Sequence, residues 1–216
     1  MEVLVSEVET LKGRRVRILL DNGDQYTILR SSYTERPLQP GDPVDPQEYA
    51  SWVLLRQYRS ALDKAVAMLA VRPCSKGEIE QKLRRTGYSA DTVEMVLTKL
   101  ASNDLLNDQE FAGLWAQYRA GQKYGPRRIL QELKQKGVSA EDMSQALEEL
   151  PEEDLQETAI QLAAKGLRRA RAGEDPRKTR QRVMAALVRR GFSWEQARIA
   201  LDRVGSSPEE DFSDDF

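Results

Sequence analysis

Clustered lysine and arginine side chains are the residues of this sequence best suited to chemistry with another molecule. Nine cations fall within the 23 residues 168–190, and further clusters lie in 76–85 and 119–136. Basic side chains along a helix, or near its N-terminus, can bind phosphates or carboxylates. A solvated helix face is the alternative for each cluster, and it fits 76–85 best because Glu78 and Glu80 lie among those cations. The candidate contact residues are Arg119, Lys123, Tyr124, Arg127, Arg128, Arg177, Lys178, Arg182, Arg189 and Arg190.

The segment Tyr124-Gly125-Pro126-Arg127-Arg128 is the most specific feature among these clusters. Proline favours the first position of a helix, so the segment predicts a helix start beside an aromatic ring. Free N–H groups at such a start, together with arginines, suit a phosphate or an acidic partner. A turn that packs a tyrosine is the alternative, and the sequence leaves both open.

Histidine is absent, and Cys74 is the only cysteine. The sequence therefore lacks the commonest general base and the ligands of a zinc site, and a Ser-His-Asp or Cys-His catalytic arrangement is impossible. No nucleophile–base pair or phosphate-binding loop is visible, which predicts a protein that is not an enzyme and needs no metal or cofactor. No apolar run approaches ~18 residues, and the N-terminus lacks signal-peptide features. We therefore expect a cytoplasmic protein without membrane contact.

Charge is distributed unevenly although the net charge is only −2. Residues 151–205 hold 12 basic and 8 acidic side chains, whereas residues 206–216 hold five acidic and no basic ones. The serine-rich, acidic composition of 206–216 predicts a disordered acidic tail. Its role is either to aid solubility or to compete with nucleic-acid phosphates for the basic surface.

Three copies of one motif indicate the elements that hold these side chains. The motif is centred on Gly87, Gly137 and Gly191, which lie 50 and 54 residues apart. Each glycine has a leucine four residues before it, an apolar residue directly after it and a serine two residues after it. A small apolar residue and a leucine follow nine and ten residues after each glycine. Such internal repetition is typical of stacked helical units.

The chemistry of each position predicts a corner between two helices. Glycine ends a helix readily in the left-handed conformation, and the apolar residue after it packs back on the last turn. Serine caps the next helix by accepting from its free N–H groups, and Gln196 completes a capping box with Ser193 in the third copy. A further helix precedes each corner, at about 60–71, 109–120 and 155–171, so each copy is a three-helix unit.

The first 30 residues differ from the rest because their side chains alternate as in β-strands. The runs 15–20 and 25–30 flank Asn22-Gly23, which favours a hairpin turn, and 3–8 can add a third strand. Asp45-Pro46 then starts a leading helix. We therefore predict a mainly α protein in which tandem three-helix, helix-turn-helix-like repeats form an elongated curved array after a small N-terminal β-hairpin or sheet. The predicted divisions are a β segment and connector at 1–44, a first repeat with its leading helix at 45–106, a second repeat at 107–150, a third at 151–205 and the acidic tail at 206–216.

The three tryptophans, Trp52, Trp115 and Trp194, occupy a different position in each unit. Tryptophan buries most of its large surface in folded proteins. We therefore expect most of these residues in the core or between repeats.

The motif blocks together resemble the RecX family, whose members regulate the RecA recombinase, and the resemblance covers roughly residues 58–203. The first block comprises Ala61-Leu62, Arg72, Ser75, Glu78, Gly87-Tyr88, Leu105-Leu106-Asn107-Asp108 and Phe111-Ala112. The second comprises Arg119, Tyr124-Gly125-Pro126, Arg128-Ile129, Glu132-Leu133 and Lys136-Gly137-Val138. The third comprises Asp175-Pro176-Arg177-Lys178, Arg182 and Arg189-Arg190-Gly191-Phe192-Ser193.

This resemblance implies a protein that binds the groove of the RecA–DNA filament, inhibits RecA ATPase and strand exchange, and promotes filament disassembly. It also implies weak binding of single- and double-stranded DNA, and roles in homologous recombination, DNA repair and the SOS response. We expect a monomer. Two alternatives stay open: a helix-turn-helix DNA-binding regulator that acts without RecA, and a helical scaffold for a different partner.

Overall fold

The computed structural model describes residues 3–170 and 174–206. The chain divides into two compact units, Met1–Asn107 and Asp108–Phe216. Within the described ranges, every helix is too short or too polar to span a bilayer. The segment predicted to be a disordered tail lies outside the described residues from position 207 onward, whereas Ser206 still belongs to a helix.

Four antiparallel strands open the first unit: β1 (Val3–Leu11), β2 (Arg15–Leu20), β3 (Gln25–Leu29) and β4 (Pro43–Val44), in the sheet order β3-β2-β1-β4. The predicted hairpin and its third strand are confirmed. The sequence pattern does not predict β4, because two residues carry no alternation and the strand forms only by pairing with the start of β1. It also does not predict the short helix α1 (Arg30–Glu35), which follows β3 directly.

The long helix α2 (Pro46–Val71) connects the sheet to the first repeat. Asp45 caps this helix by accepting from the backbone N–H groups of Gln47 and Glu48, as the Asp-Pro start predicts. The sequence predicts a separate repeat helix from about residue 60, but the structure has one continuous helix. No proline or glycine interrupts residues 47–71, so nothing ends the helix between the sheet and the repeat.

Gln57 is buried at the point where α2 passes from the sheet to the repeat. Its amide Nε2 donates to the carbonyl oxygen of Thr27 on β3 (3.3 Å), and its Oε1 accepts from the backbone N–H of Ser89 (3.4 Å). Before it, Tyr49 packs in the core of the sheet, and after it Ala61 packs in the core of the first repeat. One side chain therefore links the sheet to the first repeat.

The second half of α2 forms the first repeat with α3 (Lys76–Thr86) and α4 (Ala90–Ser102). Ser75 and Glu78 form the capping box at the start of α3 that their spacing predicts. A single apolar core joins the three helices, with Ile79 and Leu83 on α3 fully buried.

The described part of the second unit has six helices: α5 (Asp108–Gly121), α6 (Pro126–Gln135), α7 (Ala140–Glu148), α8 (Glu152–Arg168), α9 (Pro176–Arg189) and α10 (Trp194–Ser206). The first three make the second repeat around a core that includes Ile129 and Leu133. The last three make the third repeat around Leu187 and Phe192. The helix predicted to run to residue 171 ends at Arg168, and Arg171 lies outside the described residues.

All three predicted corners are present. Gly87, Gly137 and Gly191 have φ angles of +105°, +76° and +96°. The N–H of the apolar residue after each glycine donates to the carbonyl oxygen of the leucine four residues before that glycine, at 3.3, 3.2 and 3.2 Å. In this arrangement the two apolar side chains meet on the last turn of the helix, which accounts for the constant spacing. The serine after each corner caps the next helix, and Gln196 completes the predicted box with Ser193.

The second and third repeats are joined through backbone atoms. The N–H of Gly125 donates to the carbonyl oxygen of Arg190 (2.9 Å), and the N–H of Arg127 donates to that of Gly191 (3.0 Å). A Cβ on Gly125 would lie 2.5 Å from the carbonyl carbon of Gly191, and a Cβ on Gly191 would collide with Arg128. Side chains larger than a hydrogen atom do not fit at this junction.

Replacing Gly125 with alanine should lower the free energy of unfolding of the second unit by about 2–3 kcal/mol. The new methyl group overpacks the junction and strains its two hydrogen bonds. The loss would be steric, because the φ of −83° and ψ of 166° at Gly125 suit alanine. Urea unfolding followed by circular dichroism measures the change.

Gly121→Ala provides the matched control. Gly121 is the last residue of α5, and a Cβ there meets nothing within 4 Å. Alanine at this position should leave stability unchanged or raise it by up to about 1 kcal/mol. Wild-type stability of the Gly125→Ala variant would show that the junction tolerates a side chain.

Candidate anion-binding faces of the second and third repeats

The backbone junction brings six of the ten predicted contact residues together. Four of them flank the start of α6, and two flank the end of α9: Lys123, Tyr124, Arg127 and Arg128, and Arg189 and Arg190. Arg119 lies behind them on α5. The remaining three, Arg177, Lys178 and Arg182, lie on the first two turns of α9. Arg177 precedes Arg189 by twelve residues, which is about 18 Å along a helix.

The start of α6 is not open to a phosphate in the way that its sequence suggests. Free N–H groups at a helix N-terminus can bind an anion. Here the N–H groups of Gly125 and Arg127 already donate to the carbonyl oxygens of Arg190 and Gly191. The segment 124–128 is therefore a structural contact through its backbone, and only its side chains remain available to a ligand.

Arg119 and Glu132 form a largely enclosed ion pair in the second repeat. Nη2 of Arg119 donates to Oε1 of Glu132 (2.6 Å), and the two side chains are only 17% and 12% exposed. Nε of Arg128 donates to the same oxygen (2.9 Å). Partial burial raises the pKa of Glu132, but the hydrogen bonds from Arg119 and Arg128 outweigh it and hold the pKa below its ordinary value of 4.5. The side chain of Arg119 is therefore engaged within the repeat, and it is less available to a ligand than its sequence position suggests.

Tyr124 lies between two guanidinium groups. The Cζ of Arg119 is 4.0 Å from the centre of the ring, and the Cζ of Arg190 is 5.7 Å from it. Nη1 of Arg190 also donates to the carbonyl oxygen of Lys123 (3.2 Å), which has a left-handed backbone with φ of +63°. These contacts fix the loop before α6 by cation–π attraction and hydrogen bonding, so Tyr124 orients the arginines around it.

Five of the predicted residues have exposed side chains that make neither an ion pair nor a hydrogen bond among the described residues: Lys123, Arg127, Arg177, Lys178 and Arg189. Arg190 is also exposed and has no carboxylate partner there, but its Nη1 donates to the carbonyl oxygen of Lys123. Arg182, in contrast, pairs with Glu174 (3.3 Å). Exposed and unpaired cations lose little on binding an anion, because no existing ion pair has to be broken. These five side chains are the strongest candidates for contact with phosphates or carboxylates.

One face of α9 forms an open groove with the start of α10 that the sequence analysis missed. The groove has a volume of about 820 Å³ and is lined by Arg177, Arg180, Gln181, Met184, Ala185, Val188, Arg189, Trp194 and Arg198. The seven residues from α9 follow one another at intervals of three, one, three, one, three and one, which puts them on one side of a helix. That spacing is visible in the sequence and could have revealed the face.

Trp194 is the exception to the expectation that most of the tryptophans are in the core or between repeats. Its side chain is 64% exposed at the mouth of this groove. Ser193 caps the helix and Trp194 follows it directly, so the ring lies on the outer side of the first turn. Trp52 and Trp115, in contrast, are partly buried against apolar cores.

Replacing Glu132 with glutamine should destabilise the second unit at neutral pH by about 2–3 kcal/mol, because the partner charge of a poorly exposed arginine is lost. The lowered pKa of Glu132 means that its stabilisation is present above pH 4.5 and is lost as the pH falls through the folded-state value. The difference between variant and wild type should therefore shrink at pH 3, as urea unfolding at both pH values can measure.

The same change at Glu94 serves as the control, because this side chain is exposed on α4 and has no ion pair among the described residues. Glu94→Gln should change stability by less than about 0.5 kcal/mol. A Glu132→Gln effect of equal size at pH 7 and pH 3 would show that the carboxylate charge is not responsible.

Comparison with known proteins finds three family models that match consecutive parts of the chain. They are described as the first, second and third three-helix domains of RecX, and they match residues 61–100, 107–147 and 152–201. The regulatory protein RecX of Listeria monocytogenes serotype 4b (strain F2365) is 28% identical over 208 residues, which cover 95% of this chain and 77% of that protein. The regulatory protein RecX of Limosilactobacillus reuteri (strain DSM 20016) is 27% identical over 207 residues, with 95% and 78% covered.

Solved structures agree with these matches. A crystal structure of regulatory protein RecX superposes with a TM-score of 0.65 at 26% identity, and the match covers 93% of this chain and 99% of that one. The crystal structure of RecX from Lactobacillus salivarius has a TM-score of 0.64 at 22% identity, covers 70% and 98%, and supports the fold alone. Because all three repeats match RecX models in order, and a RecX structure covers nearly the whole chain, the protein belongs to the RecX family.

Proposed function

We propose that this protein is a negative modulator of the RecA recombinase. It binds in the groove of the RecA–DNA filament, inhibits ATP hydrolysis and strand exchange, and promotes filament disassembly. Membership of the RecX family supports a role as a regulator of RecA. We propose further that it acts in the cytoplasm as a monomer and without catalytic activity of its own.

The observation that carries this proposal is the set of exposed, unpaired cations around the junction of the second and third repeats. Lys123, Arg127 and Arg189 are held there by a backbone contact that is independent of their side chains. Cations positioned in this way can contact DNA phosphates or acidic protein groups without first reorganising the loop. A filament offers both kinds of partner along a single groove, so several modest contacts can act together.

The distribution of charge within the second corner argues against its use as a helix-turn-helix DNA reader. In such a reader, the second helix of the corner enters the major groove and contacts bases. Here α7 contains Glu141, Asp142 and Glu148 but no lysine or arginine. The cations of this corner lie instead on its first helix, α6, and in the preceding loop. In the third corner α10 carries Arg198 and Arg203, but Arg198 is already paired with Glu195 and Asp202. Binding through α6 and its preceding loop suits phosphates and acidic groups better than base edges.

Reversing charge at the junction should weaken the action on RecA. In a titration of RecA bound to single-stranded DNA, the wild-type protein should lower the rate of ATP hydrolysis. The Lys123→Glu/Arg127→Glu variant should need about tenfold more protein for the same inhibition, because loss of about 1.4 kcal/mol of contact energy gives that factor. Arg128 is left unchanged because its ion pair with Glu132 supports the fold.

Lys82→Glu/Arg85→Glu is the matched control. Both side chains are exposed on α3, the corresponding helix of the charge-balanced first repeat, and the change in net charge is the same. This control should inhibit as wild type does. An unchanged rate of ATP hydrolysis with excess wild-type protein would refute the proposed function. Equal inhibition by wild type and the Lys123→Glu/Arg127→Glu variant would remove the junction from the binding surface.

A further inference from the structure

The groove on the third repeat has a regular order of charged and apolar side chains. Arg177 lies at one end of the α9 face and Arg189 at the other, and neither has a carboxylate partner among the described residues. Between them the face is apolar, with Met184, Ala185 and Val188. The face therefore presents a cation, an apolar centre and a second cation over about 18 Å.

The other two arginines that line the groove form ion pairs within the third repeat. Arg180 pairs with Asp202, and Arg198 pairs with both Glu195 (2.6 Å) and Asp202 (3.3 Å). These two carboxylates therefore lie beside the groove and offset the charge of its inner arginines. The positive charge left for a ligand is concentrated at the two ends of α9.

The exposed ring of Trp194 enlarges the apolar surface of the groove at its Arg189 end. The side chain of Trp194 is 64% exposed. Removing such a large apolar ring from water is favourable, so a partner that covers it gains binding energy. An exposed tryptophan that continues an apolar strip therefore indicates an interaction surface.

The corresponding groove of the first repeat lacks this apolar strip. Counted from the corner glycine of each repeat, Ala90 occupies the position of Trp194, and Glu80 occupies that of Met184. Glu80 forms an ion pair with Arg84 on the next turn (2.9 Å), so the first groove is polar and its charges offset each other. Because both repeats are built from the same three helices, the apolar strip of the third repeat is not a requirement of the fold.

The arrangement of charge favours an acidic peptide over a nucleic acid. Proteins bind single strands in grooves that are positively charged along the path of the backbone, because every nucleotide carries a phosphate. Here the centre of the groove is aliphatic, and the carboxylates of Glu195 and Asp202 beside it would repel phosphates. A peptide with carboxylates at both ends and apolar side chains between them matches the groove in charge and in polarity. Amphipathic helices commonly bind apolar grooves in this way.

We propose that the groove of the third repeat binds an acidic amphipathic helix of a partner protein. Three to four turns of such a helix separate its terminal carboxylates by about 18 Å, which is the separation of Arg177 and Arg189 along α9. Apolar side chains at intervals of three and four residues pack between them, on Met184 and on the ring of Trp194. The inference goes beyond the proposed function, because the groove differs from the junction and its binding is measured without RecA or DNA.

A designed peptide tests this proposal. The probe is a fluorescein-labelled peptide with the sequence Glu-Glu-Ala-Ala-Leu-Ala-Ala-Leu-Leu-Ala-Ala-Glu-Glu, in which the first and last glutamates are twelve residues apart. Fluorescence anisotropy with the full chain should give a Kd of about 10–100 μM, as expected for a short helix that orders on binding. A peptide with serine in place of the leucines, and one with lysine in place of the glutamates, should each bind at least about tenfold more weakly.

Two variants of the protein assign the binding to the groove. Trp194→Ala should raise the Kd of the acidic peptide about tenfold through lost apolar contact, and it should fold normally because the ring is exposed. Arg177→Gln/Arg189→Gln should also raise the Kd about tenfold. The effect of the arginine pair should disappear in 1 M salt, where the Debye length is about 3 Å. Arg168→Gln/Arg169→Gln removes the same charge from exposed residues outside the groove and should leave the Kd unchanged.

Failure of the acidic peptide to bind, or equal binding by wild type and Trp194→Ala, would overturn the proposal. Equal losses for the groove arginines and the control arginines would also overturn it, because they would show a general effect of charge. Labelled oligothymidine is titrated in parallel. If Trp194→Ala weakens the binding of oligothymidine but not that of the peptide, the groove belongs to single-stranded nucleic acid and the proposal is wrong. None of these outcomes changes the RecA titration, so the two proposals can fail separately.

Discussion

The arrangement of the second unit depends on a contact between the backbones of two glycine-containing turns. At the junction, the carbonyl groups that follow α9 accept from the N–H groups at the start of α6. The negative end of one helix dipole therefore meets the positive end of another, and both sets of free backbone groups are satisfied without side chains. The glycines at 125 and 191 make this approach possible because a Cβ at either position would overlap the other turn. The side chains around the junction are thereby left free to vary in chemistry while their positions stay fixed.

The local geometry of the repeats is largely encoded in short stretches of sequence. A glycine, an apolar residue and a serine define each corner because helix ends are governed by backbone conformations and hydrogen bonds within a few residues. The capping boxes at Ser75 and Ser193 follow the same logic and are confirmed. In contrast, β4 has only two residues and forms because it pairs with β1, so no local sequence pattern predicts it.

The candidate site is predictable in composition but not in arrangement. The sequence identifies the cations, but it does not reveal that Arg119 is enclosed by Glu132 or that the α6 N-terminus is occupied by the third repeat. Both facts depend on residues distant in sequence. The groove of α9 differs, because the set of α9 residues that line it can be read from helical spacing alone. The exposure of Trp194, in contrast, depends on how α10 packs. The predicted cations therefore do not form one basic surface. Some surround the junction and others line the groove, and only Arg189 belongs to both.

The uninterrupted helix α2 has a consequence for how the first unit can change over evolutionary time. The N-terminal half of α2 packs in the core of the sheet, and its C-terminal half packs in the core of the first repeat. Between them, Gln57 forms hydrogen bonds to both parts. One inserted or deleted residue within the helix would turn one half about 100° relative to the other. The length of the helix and the relative rotation of its two halves are therefore coupled. This geometry favours substitutions over insertions or deletions between Tyr49 and Ala61, whereas surface loops generally tolerate changes of length.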